Sequence, residues 1–268
     1  MTGKPSMKNS EFAELIAYIA KRMYMCGAET RLIVQTSERV AKAYGHQASV
    51  VVTPGFIGVS LKCPASGGND SEPAEECSSF AKIEHGGLNM HNLVTYTRLC
   101  REAEHGLLTQ DELKQKLGEI RSFPYNPFLM IVLIGVATAS FSVINGGDIP
   151  ASLTGLFAGS ITMAAKILMQ RYHLFDMFIF TTCGFVGTIS SYWIGTEIFD
   201  LSRYNLAVAM VVSLLLLVPG FPFINGVLDL FKGYIAMGTV RLIHTLILIS
   251  SVSLGIILAF SILPINGW

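Results

Sequence analysis

The sequence has few charged residues and no net charge. Charged side chains make up 14% of its 268 residues, and 19 basic side chains balance 19 acidic ones. An ordinary soluble domain is roughly a quarter charged, so this deficit argues against a purely cytosolic enzyme. The zero net charge also gives no support for nucleic-acid binding, because nucleic-acid-binding proteins usually carry a basic excess.

Several catalytic and targeting motifs are also missing. No phosphate-binding loop of the Gly-x-x-x-x-Gly-Lys-Ser/Thr type occurs, so a primary ATPase on this chain has no support. Neither a Cys-x-x-Cys nor a His-Glu-x-x-His motif is present. The first strongly apolar run begins near residue 128, too late for a signal peptide, so we expect the N-terminal part to stay in the cytoplasm.

The charges that do occur are unevenly distributed. Residues 1–122 hold 28 charged side chains, or 23%, whereas residues 123–268 hold only 10, or 7%. The first part has the composition of a soluble domain and the second that of a membrane domain. We therefore predict an α-helical integral membrane protein, with a cytosolic α+β domain over residues 1–122 and a membrane domain over residues 123–268.

Five apolar stretches in the second part are candidates for transmembrane helices. They cover roughly residues 128–144, 149–165, 177–195, 204–223 and 242–263. A span needs about 20 residues, and the fourth stretch reaches that length only if it continues through its prolines. A soluble protein with a buried helical core is the alternative, but five such runs within 146 residues argue against it.

Basic residues are concentrated in the loops on one side of these stretches. The basic residues on that side are Arg121, Lys166, Arg171, Lys232 and Arg241. The positive-inside rule then places the N-terminus in the cytoplasm and, after five crossings, the C-terminus in the periplasm. Lys166 at the inner end of the second helix is read as snorkelling to the interface.

Residues 1–122 show mixed helical and strand periodicity. Apolar residues recur at helical spacing in the first segment, and Val- and Ile-rich runs flank a Pro-Gly turn further on. The predicted elements are helices at residues 10–25, 29–44, 88–104 and 110–121 and strands at 49–53, 56–61 and 77–84. Glu84, His85 and His91 suggest a metal site or a hydrolase base, although turn and surface roles explain these residues better.

A double-proline block interrupts the fourth apolar stretch. Pro219 and Pro222 both lack an N–H group, so the helix must break between them. A new helix is predicted from about Pro222 to Phe231, with Pro222 at its first position. On that helix Asn225 and Asp229 are four residues apart and share a face with Lys232.

This polar face has two readings. Transporters use broken helices to bind substrates and coupling ions, so the face could bind a substrate or an ion, and Asp229 could carry a coupling proton or pair with Arg241. Alternatively, the helix has left the bilayer and shows a polar cytoplasmic face. The candidate substrate-binding or coupling residues are Pro219, Gly220, Pro222, Asn225, Asp229, Lys232 and Arg241. No catalytic or metal-binding residue is assigned, and no cofactor is expected.

Short motifs along the whole chain occur in a recognisable order. They are Gly27-Ala28-Glu29-Thr30, Gly87-Leu88-Asn89-Met90-His91, Asn145-Gly146-Gly147 and the run from Val218 to Asn225, followed by Asp229, Lys232-Gly233 and Arg241. On these motifs the chain resembles the threonine/serine exporter family, specifically its YjjP-type members. The proline-rich block with the Asp and Lys-Gly positions is the most specific part.

The resemblance implies a function as well as an architecture. Such proteins have a cytosolic N-terminal domain and about five membrane helices in the bacterial inner membrane, and the YjjP type acts with a YjjB-type small membrane protein to export succinate. The chain is therefore expected to be a subunit of a two-component secondary exporter of small carboxylates, not an enzyme. The alternatives are a threonine/serine exporter, a membrane-anchored hydrolase and a regulatory scaffold subunit.

Overall fold

The computed structural model describes residues 7–62, 76–83, 87–120, 126–215 and 217–264. The chain divides into two compact units, here called the N-terminal unit, residues 1–123 with 222–242, and the helical unit, residues 124–221 with 243–268. The sequence analysis assigned residues 222–242 to the membrane domain. The structure differs because the polar residues of this segment have their partners among the first 30 residues of the chain.

The N-terminal unit contains the predicted mixture of helices and strands. Its elements in chain order are α1 (Asn9–Met25), α2 (Thr30–Ala43), β1 (Gln47–Val52), β2 (Phe56–Lys62), β3 (Glu76–Lys82), α3 (Met90–Glu104) and α4 (Gln110–Glu119). All seven predicted elements are confirmed, with ends that shift by one or two residues. The final residues of the predicted strand 77–84 and helix 110–121, Glu84 and Arg121, lie outside the described residues.

The three strands form an antiparallel sheet in the order β1-β2-β3. Alternate residues of β2 point into the core, where Ile57, Val59 and Leu61 are buried, and this follows from the period of two along a strand. They belong to the same cluster as Phe12 and Ile16 of α1. The sheet and α1 thus bury one common apolar core, which fixes the position of the end of α1.

Helix α1 ends in a tight turn at Gly27. The backbone φ of Gly27 is +94°, and the N–H of Ala28 donates to the carbonyl of Met23 at 3.1 Å. This is the hydrogen-bond pattern of a Schellman cap, which requires a left-handed residue that glycine adopts without a Cβ clash. We call residues 27–30 the α1–α2 turn, because they connect this cap to the first residue of α2.

Two further helices, α9 (Gly220–Phe231) and the start of α10 (Ile235–Ile262), complete the N-terminal unit. Helix α9 begins two residues earlier than predicted, so Pro222 lies in its first turn, where a missing N–H costs no helical hydrogen bond. Gly233, with φ +85°, closes α9 by the same cap, since the N–H of Tyr234 donates to the carbonyl of Asp229 at 2.8 Å.

The helical unit consists of long apolar helices. They are α5 (Pro127–Ile144), α6 (Ile149–Arg171), α7 (Asp176–Trp193) with a π-helical turn at Ile194–Ile198, α8 (Arg203–Leu215) and the remainder of α10. Among the described residues four helices, α5, α6, α7 with its π-helical turn, and α10, are long and apolar enough to cross a membrane. Helices α8 and α9 make a fifth candidate if they form one broken span. The 13 residues of α8 alone cover about 20 Å, less than a bilayer core.

Helix α10 is longer than the predicted fifth span, residues 242–263, and extends beyond it at the N-terminal end. Helix α10 starts at Ile235, seven residues before the predicted Leu242. The helix continues through Arg241 because the side chain has an acidic partner, as described below.

Small residues let the helices of the helical unit approach closely. A Cβ added to Gly155 of α6 would lie 3.1 Å from the Val212 side chain, and one added to Gly187 of α7 would lie 2.8 Å from the Thr162 hydroxyl. Such small-residue contacts are typical of helix packing in lipid. Asp148 caps the start of α6 by accepting from the N–H of Ala151 at 2.8 Å.

Candidate functional site

Four of the predicted site residues lie together in the N-terminal unit and contact the α1–α2 turn. We call them the polar cluster: Asn225, Asp229 and Lys232 on one side of α9, and Arg241 on α10. Each of the four contacts one of the four successive residues of the turn. The shared face predicted from the spacing is thus present, and it contacts the backbone and side chains of the α1–α2 turn.

Asp229 is the most buried member of the polar cluster, with no solvent-exposed area. One carboxylate oxygen accepts a hydrogen bond from the backbone N–H of Thr30 at 3.0 Å, and the other accepts from the Thr30 hydroxyl at 2.8 Å. Because Thr30 is the first residue of α2, the carboxylate caps the positive end of that helix. A residue 199 positions away thereby supplies the cap that Glu29, the residue preceding α2, does not.

Arg241 balances the charge of Asp229. Its Nη1 atom lies 3.0 Å from Oδ2 of Asp229, and its Nη2 donates to the carbonyl of Ala28 at 3.0 Å. The guanidinium carbon also lies 5.5 Å from the centroid of the Tyr24 ring. The side chain is only 12% exposed, so the pair is an ion pair largely removed from water.

The remaining two members contact the first and third residues of the turn. The side-chain amide of Asn225 donates to the carbonyl of Gly27 at 2.9 Å. The ammonium of Lys232 pairs with the carboxylate of Glu29, and both side chains are about a quarter exposed. The predicted alternatives for Asp229 included pairing with Arg241, and that pairing is present in the structure.

The geometry of the polar cluster suits a latch between helices. Arg241 pairs with Asp229 within the cluster, and Lys232 pairs with Glu29 of the α1–α2 turn, so both basic groups have an acidic partner. Removing one partner of a buried ion pair leaves the other charge uncompensated, which is strongly unfavourable. The arrangement therefore holds α2, α9 and the start of α10 in one fixed relation.

The other predicted site residues lie at the break between α8 and α9. The N–H of Gly220 donates to the carbonyl of Val218 at 2.8 Å, and a Cβ added to Gly220 would meet no atom within 4 Å. Pro219 precedes α9 and Pro222 lies in its first turn. Their structural effect is to end one helix and start the next, so that α9 presents the polar cluster.

His91 lies elsewhere in the N-terminal unit. It lines a groove of about 460 Å³ between α3 and α4, which also contains Arg98, Glu102 and Lys116. Glu84 and His85 lie outside the described residues. Within the described part of the chain, no group of three or more His, Cys, Asp and Glu side chains is placed to hold a metal ion.

A comparison with protein families connects this geometry to known proteins. The model of the family described as "Putative threonine/serine exporter" matches residues 14–263, which include the α1–α2 turn and the whole polar cluster. This chain belongs to the threonine/serine exporter family. It is a YjjP-type member and a multi-pass membrane protein.

Two similar bacterial proteins are named as probable transporter subunits. A protein of Escherichia coli K12 named "Probable succinate transporter subunit YjjP" is 29% identical over 244 residues, 90% of this chain and 91% of that protein. Its namesake in Klebsiella aerogenes is 27% identical over 245 residues, 90% of each chain. The family and these names indicate transport rather than catalysis.

A longer relative shares the same region. The "Pheromone-regulated membrane protein 10" of Debaryomyces hansenii is 25% identical over 260 residues, which are 94% of this chain and 24% of that protein. No solved structure matches this chain.

Sequence reasoning missed the partner of the polar cluster. It treated Gly27-Ala28-Glu29-Thr30 only as a short family motif, and it gave Tyr24 no role beside Arg241. The signal that the sequence offered was that both segments are among the motifs on which the resemblance to the family rests. Nothing in the local spacing of either segment shows that they meet.

Proposed function

We propose that this chain is one subunit of a two-component secondary exporter of small carboxylates, with succinate as the first candidate substrate. The observation that carries the proposal is similarity over nine-tenths of both chains to two proteins named as succinate transporter subunits. The word "subunit" in those names implies a partner, and we propose a YjjB-type small membrane protein. The description of the family supports threonine and serine as the alternative substrates.

We further propose a topology in the bacterial inner membrane, with the N-terminus in the cytoplasm and the C-terminus in the periplasm. The two sides of α9 support this placement of the N-terminal unit. Its polar side contacts the α1–α2 turn, whereas Phe223, Ile224 and Phe231 on the apolar side are exposed, Phe231 by 86%. A helix with one buried polar side and one exposed apolar side suits the membrane interface.

The role proposed for the predicted site residues is coupling rather than direct substrate contact. Asp229 accepts hydrogen bonds from Thr30, Arg241 donates to the carbonyl of Ala28, and the two side chains pair with each other. Transporters alternate between discrete arrangements of packed helices, and a polar cluster that either closes completely or opens is suited to bias such a change. Arg241 lies on α10, which continues into the helical unit.

The test is solute efflux from proteoliposomes loaded with labelled succinate or labelled threonine. Three preparations are compared: this chain alone, the chain with its YjjB-type partner, and the partner alone. The proposal expects efflux only from the pair, with succinate leaving faster than threonine. Efflux from the chain alone would contradict the two-component arrangement, and faster threonine efflux would contradict the substrate.

The same experiment separates the remaining alternatives. If the partner alone transports and this chain only raises the rate, the chain is a regulatory scaffold. If no preparation moves either solute while all are correctly inserted, the exporter proposal fails and the membrane-anchored hydrolase becomes the next reading. Vesicles without protein supply the leak rate that is subtracted from each preparation.

A further inference from the structure

The interior of the helical unit is lined by hydroxyl groups. The buried hydroxyl residues of α5 to α8 are Thr138, Ser142, Thr154, Thr162, Thr188, Ser191 and Ser213, each at most 3% exposed. Several of them donate to a carbonyl of their own helix, as Thr162 does to Ala158 at 2.8 Å. A hydroxyl in such a bond keeps acceptor capacity and can rotate its hydrogen toward another partner.

One cavity of about 100 Å³ lies in this interior among α5, α6 and α8. Thr162, Lys166 and Ser213 supply its polar groups, and Gly159 and Met163 are among its apolar lining. This volume accommodates a few waters or the carboxylate end of a small acid, but not a drug-sized ligand. Thr162 and Lys166 are four residues apart on α6, so their side chains share one face.

Lys166 is unusual among the charged residues of the helical unit. The acidic and basic residues Asp148, Arg171, Asp176, Glu197, Asp200 and Arg203 all lie at helix ends or in the connections between helices. Lys166 lies five residues before the end of α6 and is half-buried. Its ammonium lies 5.1 Å from the centroid of the Phe180 ring of α7, and in the described residues it forms no ion pair. An ionisable group inside a membrane helix is a candidate for function.

We propose that Lys166 binds a carboxylate of the transported solute in this cavity, with the hydroxyls of Thr162 and Ser213 as neighbouring hydrogen-bond donors. This inference rests on the proposed exporter function and names the substrate site within it. An ammonium with two rotatable hydroxyls matches the acceptor oxygens of a carboxylate. The ammonium also offsets the cost of bringing an anion into a membrane segment. Dicarboxylates and amino acids both carry a carboxylate, so the site recognises both classes of solute through that group.

The hydroxyls can turn toward a ligand at little cost. Ser213 donates to the carbonyl of Met210 at 2.8 Å and accepts from the hydroxyl of Ser191 at 2.8 Å. The Met210 and Ala158 carbonyls lie inside helices, where the helical N–H groups also serve them. Releasing the hydroxyl hydrogens therefore leaves neither carbonyl without a hydrogen bond.

The first test measures efflux by the chain with its partner in proteoliposomes. Lys166→Met is expected to raise the KM for succinate about ten- to a hundredfold, the loss of one charge-assisted hydrogen-bonding group, while Lys166→Arg retains part of the affinity. Arg171→Gln is the matched control, because it removes a basic group at the exposed end of the same helix. An unchanged KM in Lys166→Met, with efflux by the wild type intact, overturns the site and leaves the exporter function standing.

A second test needs no transport. In a chain without its native cysteines, Ser213→Cys is labelled with an anionic and with a cationic methanethiosulfonate reagent. The proposal expects the anionic reagent to react faster, succinate or threonine to slow it, and Lys166→Met to remove both effects. Labelling that neither solute slows, or that shows no preference for the anionic reagent, overturns the proposal. If the wild type exports neither solute, the exporter function fails first, and this labelling still decides whether the cavity binds carboxylates.

Discussion

Replacing Asp229 with asparagine tests whether the polar cluster is a latch. The substitution keeps the shape of the side chain but turns one acceptor oxygen into an NH₂ group, so that a donor faces the donors of Thr30 or Arg241. Removing one partner of a buried ion pair costs about 3–5 kcal/mol. Since 1.36 kcal/mol corresponds to a factor of ten, a loss of about 3 kcal/mol raises the open population of the cluster about a hundredfold.

Cys26 provides the assay, because it immediately precedes the α1–α2 turn. Its side chain is buried, and burial raises the pKa of the thiol, so it should react slowly with a maleimide while the cluster is closed. The other four cysteines are replaced by alanine, and the labelling rate of Cys26 is measured in the wild type and in Asp229→Asn. We expect labelling about a hundredfold faster in the variant, loss of efflux, and unchanged membrane insertion.

Two further variants make the result specific. Asp111→Asn removes an exposed carboxylate from the first turn of α4 and should leave Cys26 labelling unchanged. Adding Arg241→Gln to Asp229→Asn removes the stranded charge, so the double variant should lose less than the sum of the two single ones. If Cys26 is labelled in Asp229→Asn at a rate within about threefold of the wild-type rate, the latch is refuted, because removing one partner of a buried ion pair costs more free energy than that.

Three other predictions concern the turns, the pH dependence and the topology. Gly233→Ala should destabilise the protein by about 1–2 kcal/mol, because φ is +85° there. Gly118→Ala in the exposed face of α4 should instead stabilise it by about 0.5–1 kcal/mol. Thermal unfolding in detergent measures both variants, and equal effects would contradict the cap at Gly233. Burial beside Phe12 lowers the pKa of His46 below 6.5. The unfolded chain then binds a proton more readily than the folded one, so the free energy of unfolding should fall as the pH drops below about 6.5. His46→Phe should flatten this dependence when unfolding is measured from pH 8 to pH 5. An unchanged pH profile in His46→Phe would contradict a role for His46. Alkaline phosphatase fused to the C-terminus should be active, and fused after residue 120 it should be inactive; the reverse pattern would contradict the proposed orientation.

Local patterns predicted the helices, the strands and the apolar segments of this protein. Helical spacing of Phe12 and Ile16 and alternation along β2 report which side of each element is buried, and that information lies within a few neighbouring residues. The double-proline break was predictable for the same reason, since a missing N–H acts where it occurs. The grouping of Asn225, Asp229 and Lys232 on one face followed from helical geometry alone.

Tertiary structure decided what those faces contact. The spacing that placed Asp229 on a polar face could not show whether solvent, substrate or backbone satisfies it, because Thr30 lies 199 residues earlier. The start of α10 at Ile235 depended on the same contact, since Arg241 is tolerated there through its pairing with Asp229. The cavity beside Lys166 likewise exists only where α5, α6 and α8 pack together. A sequence determines its elements through neighbouring residues, whereas a site built from distant residues exists only once those elements have packed.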